Sequence, residues 1–333
     1  MKNTNVKISL RDSFELFLDR CERENLSPST IKFYEDNMKR FIKYLSIEHN
    51  LQNPLIPDFN SVHINKYLAK IKKSKKWNGH THIKAREEKV GSQSIKTYAR
   101  ALRAIGNWFF TEDYISENII ETVDLPKAAK SDKEVLCDDE IKAIITKFDT
   151  KTKLGLRNSI IFLLAFDAGI RQGGIANLKI GDVDLKAKTL RVRLKGGNIT
   201  VLPLGNTVLW QIKEYIVKYR GIDNLNEPLL TNINGSKLTE NAIKKMFSKL
   251  KKKSGVIRVN CHLGRHTFAT NYISEGHTQQ ELQLALAHES DTMSKEYVHL
   301  DEKINYVRRG ADSHMDKMLN DSKSTKRTAA NFR

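Results

Sequence analysis

One tyrosine, two arginines, one lysine and two histidines follow one another through the second half of the chain in an order that suits chemistry on a phosphodiester. Arg171 follows an apolar run and a glycine in DAGIRQGGIANL, and Lys195 sits beside a Gly-Gly-Asn turn. His262, Arg265 and His266 fall in CHLGRHTFAT, His288 in LALAHES, and Tyr297 nine residues beyond His288 in MSKEYVHL. Two guanidiniums can each fork onto non-bridging oxygens and offset charge as a phosphorane develops. A lysine ammonium among other cations has a lowered pKa and can protonate a departing 5′-oxygen. Histidines can share a proton with the same phosphate or donate hydrogen bonds to it. A phenol with a free pKa of about 10 becomes a covalent nucleophile where positive charge stabilises its anion. The protein's own cations then do a metal's electrostatic work, so no cofactor and no metal are expected. No clustered carboxylates of the two-metal nuclease type are apparent.

Each residue alone also fits an ordinary role. Arg171 suits a surface or cap position, His262 and His266 an ordinary helix start, His288 a helix C-terminal cap, and Tyr297 a core anchor. Order and spacing together carry the chemical reading.

These residues need a scaffold, and the pattern predicts a mainly helical one. In the N-terminal third, helical spacing of apolar residues predicts helices over 9–24, over 28–49 after the start signal Ser27-Pro28-Ser29, over 60–73 and over 92–111. The basic stretch between the last two, 74–91, reads as a loop or extended hairpin reaching towards DNA. Residues 117–134, with Asn118, Pro126 and no sustained period, read as an extended tether between domains. Beyond it, helices are expected over 138–148, 156–168, 210–219, 240–253, 264–275, 278–286 and 294–309. TLRVRLKGGNITVLPL breaks the pattern: Leu190, Val192 and Leu194 alternate with Arg191, Arg193 and Lys195 before the turn, which predicts a β-hairpin with one basic face. The division expected is 1–116, linker 117–134, 135–320, and a basic tail 321–333 that frays.

Composition narrows the partner. Over 333 residues, 57 Lys and Arg against 39 Asp and Glu give a formal net charge of +18, which attracts polyanions, nucleic acid first among them. No apolar run approaches the length of a membrane span, and the polar N-terminus lacks a signal-type apolar stretch, so a cytoplasmic, nucleoid-associated protein is expected. Cys21, Cys137 and Cys261 lie far apart without CxxC spacing, which suits neither a disulfide framework nor a zinc site.

The motifs together resemble the tyrosine recombinases, the lambda-integrase-like enzymes. DAGIRQGGIANL resembles that family's G-L-R-x-x-E-L-x-x-L, CHLGRHTFAT its H-x-L-R-H-T-F-A-T, and His288 with Tyr297 its L-G-H-x(8)-Y. LSPSTIKFYEDNMKRFIKYL is similar to the N-terminal core-binding helix, so the likeness spans roughly 10–310. Three positions depart from the pattern: Gly174 replaces the Glu, Gly264 the Leu before the second Arg, and Ala287 the Gly before the last His. Two adjacent glycines, Gly173 and Gly174, predict local looseness behind Arg171.

The resemblance implies a helical, SAM-like core-binding domain and a catalytic domain forming a C-shaped clamp on duplex DNA. It implies Arg171 and Arg265 as phosphate-clamping arginines, Lys195 as general acid, His262 as proton shuttle and His288 as a second phosphate donor. Tyr297 would form a 3′-phosphotyrosyl link, with His266 structural. It further implies a tetramer on two DNA sites, with 301–319 docking on a neighbouring protomer, and leaves room for an accessory DNA-bending or directionality protein. Integration and excision of a mobile element is the role expected, from the irregular 72–91 stretch and the departures around Arg171. Xer-type chromosome-dimer resolution, topoisomerase IB-like relaxation and a non-catalytic DNA-binding regulator stay open.

Overall fold

The computed structural model describes residues 8–75, 87–127, 134–193, 199–221 and 223–286. The chain divides into two compact units, Met1–Ser131 and Asp132–Arg333. In the first, α1 (Leu10–Arg23) starts where Ser9 Oγ accepts the Asp12 N–H at 3.1 Å, and α2 (Pro28–Glu48) where Ser27 does the same for Thr30 at 3.2 Å. Asn60 caps α3 (Ser61–Lys73), and α4 (Ser92–Thr111) follows. These caps satisfy backbone donors that the first turn leaves unpaired. The apolar stripes meet in a core rich in aromatics, where the Phe59 ring lies edge-on to both Phe41 and Phe109 at centroid distances of 5.5 and 5.2 Å.

The expected tether does not begin at residue 117. Residues 119–122 form a short helix, α5 (Ile119–Thr122), capped by Asn118, and Ile119 and Val123 are wholly buried in the first core. Glu117 joins the same unit by accepting the Ser61 N–H at 3.0 Å. One helical turn is too short to show a period, which is why the sequence pattern concealed it. Of the 74–91 stretch, the described ends pair: Lys75 and Lys89 form an antiparallel bridge, with Lys75 Nζ 2.8 Å from Glu87 Oε2.

The second unit is built around α7 (Lys153–Phe166), which is buried on most sides. Around it lie α6 (Asp138–Ile145), α8 (Gln172–Asn177), α9 (Asn206–Tyr219), α10 (Glu240–Ser254), α11 (Cys261–Ser274) and α12 (Gln279–Leu286). A small antiparallel sheet has the order β1 (Val183–Asp184), β2 (Thr189–Arg193), β3 (Ile199–Pro203), with Leu190 opposite Leu202 and Arg193 opposite Ile199. Leu190 and Val192 are buried while Arg191 and Arg193 face out, the alternation that a half-covered strand requires. The turn with Lys195, and the helix expected over 294–309, lie outside the described residues. No described helix is long and apolar enough to cross a membrane.

Candidate functional site

The site is organised by α11, which starts three residues earlier than its apolar spacing suggests. Asn260 is the cap, its Oδ1 accepting the Leu263 N–H at 2.9 Å, so His262 lies in the first helical turn. Arg265 follows one turn later and is 5% exposed. Its guanidinium donates from Nη1 to the Gly169 carbonyl and from Nη2 to the Leu286 carbonyl, both at 2.7 Å. A fork anchored at two carbonyls holds a charged group more rigidly than a single bond could.

Gly169 needs to be glycine on two counts. Its φ of +61° is left-handed, and a Cβ there would stand 2.5 Å from the Phe268 ring and 2.8 Å from Leu286. Ile170 is held by its N–H to the Leu164 carbonyl at 2.9 Å, and its own carbonyl faces the Cys261 thiol at 3.9 Å. Arg171 then leaves this pinned segment as the N-cap residue of α8, its carbonyl accepting the Ile175 N–H at 3.0 Å and its exposed side chain making no hydrogen bond or ion pair among the described residues. Thus α11 fixes Arg265 directly and Arg171 through two intervening backbone positions. Burial pushes the Cys261 thiol up to about 12, so it stays protonated and is no nucleophile.

At Gly173 and Gly174, where looseness is expected, the neighbours pack closely. Both residues are helical, and a Cβ on Gly174 would lie 3.0 Å from Ile170 and 3.2 Å from Val192, so the missing side chain lets α8 press against β2. Beside Gly173, Gln172 Nε2 donates to the Glu240 carbonyl at 3.0 Å and to its Oε2 at 3.2 Å, tying α8 to the start of α10. Gly264 has the same logic: a Cβ there would meet the Phe166 ring at 2.6 Å, so the glycine lets α11 approach α7.

His266, expected to be structural, packs against His262. Its Nε2 lies 2.9 Å from His262 Nε2, and the two rings meet edge to face. One nitrogen must donate and the other accept. The i,i+4 spacing was visible in the sequence, but a helix expected to start at residue 264 left His262 outside it. Gln172 and Glu240 carried no such signal, since their contact is made only in the folded chain.

Lys195, His288 and Tyr297 lie outside the described residues. Among the described residues, no three or more His, Cys, Asp or Glu side chains gather as a metal site would need.

A family model described as the phage integrase family matches residues 134–303, half of the chain. The chain belongs to that family. It is a tyrosine recombinase, an enzyme that transfers DNA strands. Tyrosine recombinase XerC of Bacillus pumilus is 27% identical over 86% of this chain and 90% of its own length. Tyrosine recombinase XerD of Listeria innocua is 26% identical over 87% of this chain and 94% of its own. Among solved structures, XerH recombinase bound to a palindromic difH substrate matches with a TM-score of 0.66 at 20% identity, covering 92% of this chain and 90% of that one. At that identity the likeness concerns the fold: helical, with one small sheet.

Proposed function

We propose that this recombinase cuts duplex DNA at a specific site by attack of Tyr297 on a phosphodiester, leaving a 3′-phosphotyrosyl link and a free 5′-hydroxyl. The observation that carries this reading is the fork of Arg265. That guanidinium is fixed to the Gly169 and Leu286 carbonyls, and Arg171 follows Gly169 by two residues, which supports the two arginines receiving one phosphate. His262 relays the proton with His266 behind it, Lys195 protonates the departing 5′-oxygen, and His288 donates to the same phosphate. The cut bond's energy is kept in the phosphotyrosine, so rejoining draws on neither ATP nor metal.

The biological role proposed is Xer-type resolution of joined DNA copies, in place of the mobile-element integration expected from the motif departures. Support comes from the curated relatives, named XerC and XerD, which align along most of their own length. Those departures have local packing reasons at Gly174 and Gly264 and so do not speak for a specialised integrase. Four protomers on two sites, exchanged through residues 301–319, complete the proposal.

A nicked suicide substrate tests the chemistry. The wild-type chain traps a covalent complex, while Tyr297→Phe binds DNA and traps none; trapping that survives the change removes Tyr297 as nucleophile. For the role, a plasmid with two directly repeated copies of the chromosomal site separates into two circles. Joining of two unlike sites, without such separation, favours integration instead. Truncation after residue 300 abolishes synapsis if the C-terminal segment links protomers.

A further inference from the structure

The cleft between the start of α7 and one flank of α10 is basic and has no role in the strand-transfer scheme. Its volume is about 400 Å³, and Lys147, Arg157, Lys245, Lys249 and Lys253 line it, with no Asp or Glu among the described lining residues. Arg157 is the unusual member. It is 8% exposed, yet among the described residues its guanidinium donates only to neutral oxygens, the Thr231 carbonyl at 2.8 Å and Asn158 Oδ1 at 2.9 and 3.2 Å. Buried cations are ordinarily matched by an anion. The burial itself pulls the Arg157 pKa down, the direction expected of a charge lacking a counter-ion.

The lysines add a second observation. Lys245, Lys249 and Lys253 repeat at i,i+4 along α10, a like-charge spacing that opposes the helix, and no ion pair among the described residues relieves it. The helix dipole offsets charge in the last turn, where Lys253 sits, but not at Lys245 or Lys249 in the middle. An anion in the cleft would answer all five cations together.

We propose that this cleft binds a nucleotide-sized phosphorylated small molecule, its phosphates on the lysines and Arg157 and its apolar part on Phe148, Leu154 and Met246. The volume falls in the range of small-molecule sites. Leu154, 42% exposed, and half-buried Phe148 offer an apolar wall that phosphates alone would not use. A convex duplex can touch rim lysines but cannot bring a phosphate to a recessed guanidinium, whereas a terminal phosphate can. Neither Arg171 nor Arg265 is among the described residues that line the cleft. A ligand there clasps α7 to α10, the helices that back α11 and α8, and so stiffens the catalytic unit without touching DNA.

The test is calorimetry on the full chain with ATP in the absence of divalent metal, beside inorganic triphosphate and adenosine. ATP is expected to bind saturably, at least tenfold tighter than triphosphate, with adenosine silent, and to raise the melting temperature by several degrees. Lys245→Glu with Lys249→Glu, both exposed, weakens ATP at least tenfold, while Arg171→Ala leaves it unchanged. Arg157 is buried, so its variants are not used. The proposal is overturned by non-saturable heat, by triphosphate binding as tightly as ATP, or by an ATP affinity that survives the double charge reversal. It is equally overturned if that reversal weakens a short duplex while ATP shows no saturable binding, which makes the face part of the DNA interface.

Discussion

His262 and His266 meet across 2.9 Å, so each imidazole helps to hold the other's orientation. His266→Phe keeps a ring in place but removes this contact, and cleavage of a nicked suicide substrate should slow about tenfold while DNA binding stays unchanged. A cleavage rate equal to wild type would show that His262 works without its neighbour. At this scale the sequence was most informative about identity and least about partnership. Spacing singles out the arginines and histidines as candidates, but the two carbonyls that grip Arg265 are backbone groups, which any residue supplies.

Helix ends and helix contacts decide the next level. Gly264 lets α11 lie against α7, and Gly264→Ala should destabilise the protein by about 2 kcal/mol, because overpacking at 2.6 Å from the Phe166 ring outweighs the better helix propensity of alanine. The denaturation midpoint should fall, and adding Phe166→Leu should restore part of the loss. Another tie lies just ahead of α11, where Arg258 Nε donates to Glu140 Oε1 at 3.1 Å and Glu140 also accepts the Cys137 N–H at 3.0 Å. The Arg258 hydrogen bond holds the Glu140 carboxyl below the usual carboxylate range. A depressed folded pKa gives stability that is present above the unfolded value and lost as pH falls through the folded one. Glu140→Gln should thus cost about 1 kcal/mol at pH 7, allowing for solvent screening, and nothing at a pH low enough to protonate the wild-type carboxyl in the folded state as well. Melting curves at the two pH values check this. Long amphipathic helices such as α2 and α4 were legible because their period runs for many turns. The short α5, the two-residue β1 and the true start of α11 were not: one turn carries no period, and a capping asparagine looks like any polar loop residue.

Across the whole molecule, a net charge of +18 makes DNA binding strongly dependent on salt. Neutralising six or more phosphates predicts a loss of roughly a thousandfold in affinity between 50 and 200 mM salt. A flat salt profile from filter binding would mean that the excess charge is spent elsewhere. Charge and motif order together made the family readable, since both survive in the sequence without any knowledge of contacts. Packing around glycine did not, because a missing side chain announces nothing until its neighbours are in place. The fork of Arg265 has one more consequence, which concerns the order in which the chain is made. Its two acceptors, Gly169 and Leu286, belong to widely separated parts of the polypeptide. While the ribosome is still short of residue 286, the guanidinium has one anchor, and the residue expected to attack DNA has not yet been synthesised. A nascent or prematurely terminated chain can be basic enough to cling to DNA, but if Tyr297 is the nucleophile it cannot cut it.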